Sequence, residues 1–138
     1  MQRLISFLAV FVGALFGGGF RYLIGLVFQS YGSGFPLGTL FVNLTGALLL
    51  PLLIHYLHDR FNLSAEIVLS LSSGLLGAYT TFSTFTADTQ RLFASNQFSF
   101  LALYLLATMI GGFLLALLGN YLAAYLARRE YFQRKKEN

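Results

Sequence analysis

"GLLGAYTTFSTFTAD", residues 74–88, lies inside a long apolar region and decides how the whole chain is read. It holds two glycines, two phenylalanines and five serines and threonines: Thr80, Thr81, Ser83, Thr84 and Thr86. Each glycine weakens a helix by about 1 kcal/mol relative to alanine. A hydroxyl placed in hydrocarbon needs a hydrogen-bond partner. A polar, helix-weakening cluster therefore stands where an apolar segment should cross a membrane.

The composition around it makes a membrane the first expectation. Of 138 residues, 57% are hydrophobic and 10% charged, with mean hydropathy +0.69; a soluble domain carries about 25% charged residues. The length fits a single domain. Without cysteine there is no disulfide framework, thiolate metal site or cysteine nucleophile. Five of the nine basic residues crowd into "RREYFQRKKEN" at 128–138, a tail suited to an anionic lipid surface. No interleaving of aromatic and basic residues suits nucleic acid.

Four apolar runs lie at 4–28, 37–57, 67–93 and 98–126, followed by a basic tail at 127–138. Each reaches the roughly 20 residues that a helix needs to cross a bilayer. The runs are continuous rather than alternating, which argues against strands. The expected fold is an all-α integral membrane domain of four transmembrane helices, the third broken near its centre. The start, "MQRLISFLAVFVGALFGG", has the basic-then-apolar form of a signal peptide, but apolar character resumes after Arg21 and an A-x-A site is missing. It reads as an uncleaved first helix. An even number of crossings puts Arg3, Arg60 and the tail on one side, which the positive-inside rule assigns to the cytoplasm.

Polar residues inside the runs are the functional candidates. Thr39 and Asn43 are four apart on one helix face, with Gly46 beyond them, and Tyr104, Thr108 and Gly112 repeat the pattern in the fourth run. Interhelical hydrogen bonding accounts for either set alone. Gly13 with Gly17, Ser73 with Gly77, and the glycines at 111, 112 and 119 read as close helix contacts. Arg21 either snorkels to the interface or stands at a pore mouth that attracts an anion. Asp88 is the lone carboxylate within a helix, and it either caps or faces a vestibule. His55 and His58, three apart near a helix end, read as interfacial.

Within 74–88, the glycines and the first threonine are expected to mark a break. Irregular backbone at membrane depth is tolerated where it is buried in protein or lines a polar cavity, and its free carbonyls can hold ions. Phe82 and Phe85 share a face if helical, and a phenyl edge is electropositive. Hydroxyls around those edges would suit an anion, although such a pair more often faces lipid or packs.

Three stretches, "GALFGGGFRY" at 13–22, "GTLFVNLTG" at 38–46 and "GLLGAYTTFSTFTAD" at 74–88, resemble the CrcB/Fluc fluoride channels in order, spacing and length over essentially the whole chain. The resemblance implies an antiparallel dimer with two fluoride pores in the cell membrane. It implies a homodimer inserted in both orientations or a heterodimer with an inverted paralogue. Asn43 would donate to fluoride, the ring edges of Phe82 and Phe85 would line the path, and Thr39, Ser83, Thr84, Tyr104 and Thr108 would supply hydroxyls. Carbonyls of Gly77 and Thr80 would hold a structural sodium ion. Arg21 matches the arginine of the first motif, and Asp88 stands where glutamate is usual. The implied activity is passive fluoride export that lowers fluoride toxicity, with no enzyme site. The alternative is a small four-helix exporter of drugs or cations, for which a membrane glutamate is expected in the first helix. That helix has Arg21 instead.

Overall fold

In the computed structural model, the residues described are 2–29, 34–61 and 63–137, with no side chain described at 2, 57–59 or 130–137. Part of the first connector, the side chain of His58 and most side chains of the basic tail therefore lie outside the described residues.

The apolar runs become helices in the order expected. Helix α1 spans Gln2–Gln29 and α2 spans Leu37–Leu52. Pro51 lies inside α2 and has no N–H to give the ladder, and the chain then widens into a π-helical turn, Leu53–Leu57, before the short α3, His58–Phe61. The third run starts at α4, Ala65–Leu69, capped by the Ser64 hydroxyl accepting from the Ile67 N–H. It continues through a π-helical stretch, Ser70–Leu76, into the single turn α5, Gly77–Tyr79. Helix α6, Phe82–Ala94, resumes beyond a break. Helix α7 spans Phe98–Glu137.

Among the described residues, three segments are long and apolar enough to cross a membrane: Arg3–Gln29, Leu37–Tyr56 and Phe98–Arg129. The interrupted run from α4 to α6 lies beside them. Large apolar side chains such as Phe7, Phe113 and Tyr121 point outward from α1 and α7 at 65–68% exposure. A water-soluble protein of this size would bury such a surface, and lipid or a partner helix satisfies it here. The chain is therefore a multi-pass helical membrane protein.

Packing rests on small residues. Gly13 and Gly17 of α1 lie against the main chain of Ser70 and Leu75, while Gly74 returns the contact against Val10 and Gly13. Gly119 of α7 meets the main chain of Leu48 on α2. These backbone approaches pair α1 with the third run and α2 with α7. Val42, Leu53, Leu76 and Tyr79 join the two pairs in one buried cluster. The small core is ordinary for a protein solvated by lipid.

Two expectations need correction. The break falls at the first threonine, Thr80, as expected, and at Thr81, but not at the glycines: Gly77 keeps helical dihedrals (φ −65°, ψ −35°), whereas Thr80 (φ −77°, ψ 158°) and Thr81 (φ −150°, ψ 122°) are extended. Gly74 stays helical because its task is close packing, and β-branched threonines favour the extended region. The last helix also runs on from 126 to Glu137, since no glycine or proline after Gly119 stops it.

Candidate functional site

A broken helix exposes backbone donors and acceptors, and Asn43 of α2 meets those of Thr81. Its Nδ2 donates to the Thr81 carbonyl at 3.0 Å, and its Oδ1 accepts from the Thr81 N–H at 2.8 Å. One side-chain amide thus serves as a surrogate peptide group. Of its two N–H donors one is spent on this pair and the second is left over. Gly46, one turn further along α2, sits against the methyl of Thr80, so any larger residue there would collide with the break.

Thr81 also starts α6. Its Oγ1 accepts from the Thr84 N–H at 3.2 Å as an N-cap, and donates to Thr84 Oγ1 at 3.0 Å. Ser83 Oγ lies 3.3 Å from Thr81 Oγ1. In an unbroken helix the Thr81 N–H would bond the Gly77 carbonyl, and the Thr84 N–H would bond the Thr80 carbonyl. Both donors are diverted to side chains. The Gly77 and Thr80 carbonyls are thereby released from the helical ladder.

A pocket of about 370 Å³ opens on this break, lined by Asn43, Thr80, Thr81, Phe82, Phe85, Thr108 and Met109. Phe82 is 79% exposed in the single chain and Phe85 half-buried, with ring centroids 5.8 Å apart. Phe85 meets Tyr104 of α7 at 5.3 Å, and Tyr104 stacks edge-on with Phe35 at 5.8 Å and 86°. Tyr104 is fully buried, and among the described residues neither its hydroxyl nor that of Thr108 has a partner within hydrogen-bond distance, although the Tyr104 hydroxyl lies near Thr39 and Asp88. Buried hydroxyls without partners are rare, and these two lie one helical turn apart on α7.

A wider cavity of about 510 Å³ adjoins α6 on its other side, with Thr39, Thr84, Asp88 and Arg91 among its lining. Thr39 Oγ1 donates to Asp88 Oδ2 at 2.7 Å. Arg91 lies 3.4 Å from Asp88 Oδ1 and donates to the Gly34 carbonyl at 3.3 Å. Asp88 therefore faces a vestibule with its charge paired.

The structure thus gathers Asn43, Phe82, Phe85 and Thr108 around one pocket, with Tyr104 behind it, and Thr39, Thr84 and Asp88 around the other. Arg21 is half-buried on α1 and lines neither. Arg91, Phe35 and the staple between Asn43 and Thr81 went unread in the sequence. The contacts of Arg91 with Gly34 and of Asn43 with Thr81 join residues 57 and 38 apart, beyond any local pattern. The spacing of Asp88 and Arg91, three apart on one helix face, was the one available signal.

Fold and site together define a polytopic helical membrane protein with a polar, side-chain-stapled break facing an aromatic and hydroxyl-lined pocket. The family model described as CrcB-like protein, Camphor Resistance (CrcB), matches residues 8–120. The chain is 49% identical to fluoride-specific ion channel FluC 1 of Latilactobacillus sakei over 86% of this chain and 87% of that one. It is 38% identical to fluoride-specific ion channel FluC of Hydrogenobaculum sp. over 88% of this chain and the whole of the relative. It is 38% identical to fluoride-specific ion channel FluC 2 of Carboxydothermus hydrogenoformans over 92% and 93%. The chain belongs to the CrcB/FluC family, whose named relatives are ion channels rather than enzymes.

Proposed function

We propose that this protein is a passive, fluoride-selective channel that lets cytoplasmic fluoride leave the cell and so lowers its toxicity. The observation that carries the reading is the convergence of Asn43, Phe82, Phe85 and Thr108 on one pocket in a chain whose relatives bear the fluoride-channel name. Fluoride is small and strongly hydrated, so a pore must replace its water with donors. The spare Asn43 N–H, the hydroxyls of Thr108 and Tyr104, and the electropositive phenyl edges are such donors. A cation path would need rings of carboxylates or carbonyls along its length. The carboxylate near this path, Asp88, is already paired with Thr39 and Arg91. On the vestibule side, Thr39 and Thr84 extend the hydroxyl track; Ser83 lines neither cavity and joins the track only through Thr81, and Arg21 acts from outside it by charge alone.

The interrupted run supplies the fourth crossing in this reading, and the exposed Phe82 face is covered by an inverted second subunit, giving two pores. A homodimer is the favoured form, because Asn43, Phe82 and Phe85 are all present in this chain. An inverted paralogue is the other form that fits. The termini face the cytoplasm in a fixed orientation, and both sides in dual insertion. A single cysteine placed in the tail and labelled from each side of the plasma membrane distinguishes the two.

The break fits a structural sodium ion. Hard cations take oxygen ligands, main-chain carbonyls among them, and the break leaves the carbonyls of residues 77–80 without helical donors, Gly77 and Thr80 among them. Two inverted subunits would present two pairs. When bound there, the ion supplies fixed positive charge that holds the breaks together. Fluoride efflux from liposomes loaded with potassium fluoride, followed with a fluoride-selective electrode, tests the proposal. Ionophore-dependent efflux that falls in Phe82→Ile and Phe85→Ile is expected, and silence of the intact protein would overturn it.

A further inference from the structure

One hydrogen-bond pair, that of Asn43 with Thr81, touches both the proposed anion path and the proposed cation site. Asn43 lines the pocket, yet its Oδ1 is spent on the Thr81 N–H. That N–H is the donor the Gly77 carbonyl would otherwise receive in a regular helix. In the same way Thr81 Oγ1 captures the Thr84 N–H, the donor for the Thr80 carbonyl. Neither side chain needs to contact the cation, and each removes its competitor from one carbonyl. Gly46 leaves room for the break to sit this close to α2.

We infer that Asn43 and Thr81 are positioning residues for a cation at the helix break, and that the Asn43 side chain couples that site to the anion path. This rests on the fluoride-channel reading for its anion half, while its cation half stands on the hydrogen bonds at the break. A side-chain acceptor facing the Thr81 N–H keeps the Gly77 carbonyl free. Its loss lets that N–H turn back toward Gly77 and re-form the helical bond. A hydroxyl at 81 does the same for Thr80.

The test separates the two halves by substituting each group for one that keeps a single function. Thermal unfolding of the full-length protein in detergent is followed in Na+ and in N-methylglucamine at equal ionic strength, beside fluoride efflux from liposomes. The wild-type midpoint is expected to rise with Na+. Thr81→Val, which keeps shape but loses the acceptor, should raise the Na+ concentration for half-maximal stabilisation by about tenfold or more. Thr81→Ser should restore it. Asn43→Asp keeps an oxygen for the Thr81 N–H and should keep the Na+ response, while its lost donor and added charge reduce fluoride flux. Asn43→Ala should lose both.

A wild-type Na+ response in Thr81→Val or Asn43→Ala would overturn the inference. If those variants do not fold, loss of the response in folded Asn43→Asp or Thr81→Ser would overturn it equally. A wild-type protein that conducts fluoride and ignores Na+ would refute the cation site, this inference with it, and leave the channel reading standing. A response to Na+ without fluoride conduction would refute the channel and leave the carbonyl argument intact.

Discussion

Gly17 and Gly18 are neighbours on α1, yet alanine should act on them in opposite directions. A Cβ built at Gly17 meets the carbonyl of Leu75 head-on, with the Leu75 carbonyl carbon at 2.8 Å and its Cα at 3.0 Å. All three are main-chain atoms, so no rotamer change can relieve the clash, and α1 must move off the Ser70–Leu76 stretch. Overpacking of this kind costs about 1–3 kcal/mol, or roughly a 5- to 150-fold loss in the folded population. At Gly18 nothing lies within 4 Å. Alanine there meets open space and gains about 0.5–1 kcal/mol of helix propensity. Thermal or denaturant unfolding of both variants in one detergent gives the comparison. Because the displaced stretch leads directly into the break, Gly17→Ala should also lower fluoride efflux, and Gly18→Ala should leave it unchanged. Equal stability of the two variants would refute the backbone-contact account of α1 packing.

Further outcomes follow from individual contacts. Arg91→Gln frees the Asp88 charge toward the vestibule and should reduce fluoride flux by about tenfold, the effect of about 1.4 kcal/mol of added repulsion, with Asp88→Asn in the same chain restoring it. Tyr104→Phe removes a buried hydroxyl that makes no close hydrogen bond but lies near Thr39 and Asp88, so the unfolding free energy should stay within about 1 kcal/mol of wild type, while flux falls if the hydroxyl is one of the anion's donors. Thr81→Ala removes the N-cap of α6 and should destabilise the protein by about 1 kcal/mol, read in the same unfolding assay.

The outline of the fold was legible because lipid imposes it. Continuous apolar runs of membrane-spanning length gave α1, α2 and α7, and the cluster at 74–88 gave a break in the third run. Thr80 was legible as part of the break, but the glycines are not part of it, since glycine signals weak helix and close packing alike. Gly74 does the second, and the chain bends where two β-branched threonines follow Tyr79. The π-helical stretches were not legible, because they answer to packing around Pro51 and against Gly13 and Gly17 rather than to local propensity. Site residues were found through their polarity in an apolar setting, which is why Thr39, Asn43 and Thr108 stood out. Their partners did not. The staple from Asn43 to Thr81 and the tie from Arg91 to Gly34 exist only once distant elements pack, and a phenylalanine such as Phe35 looks like any other lipid-facing ring until it meets Tyr104.

Selectivity for fluoride over chloride defines such a channel, and a planar bilayer measures it. With fluoride salt on one side and an equal concentration of chloride salt on the other, the reversal potential reports which anion carries the current. For a fluoride-selective channel the reversal potential follows the fluoride gradient and does not move when chloride is replaced by a larger anion. A potential that tracks chloride, or a membrane that stays silent with the protein inserted, would contradict the proposed function.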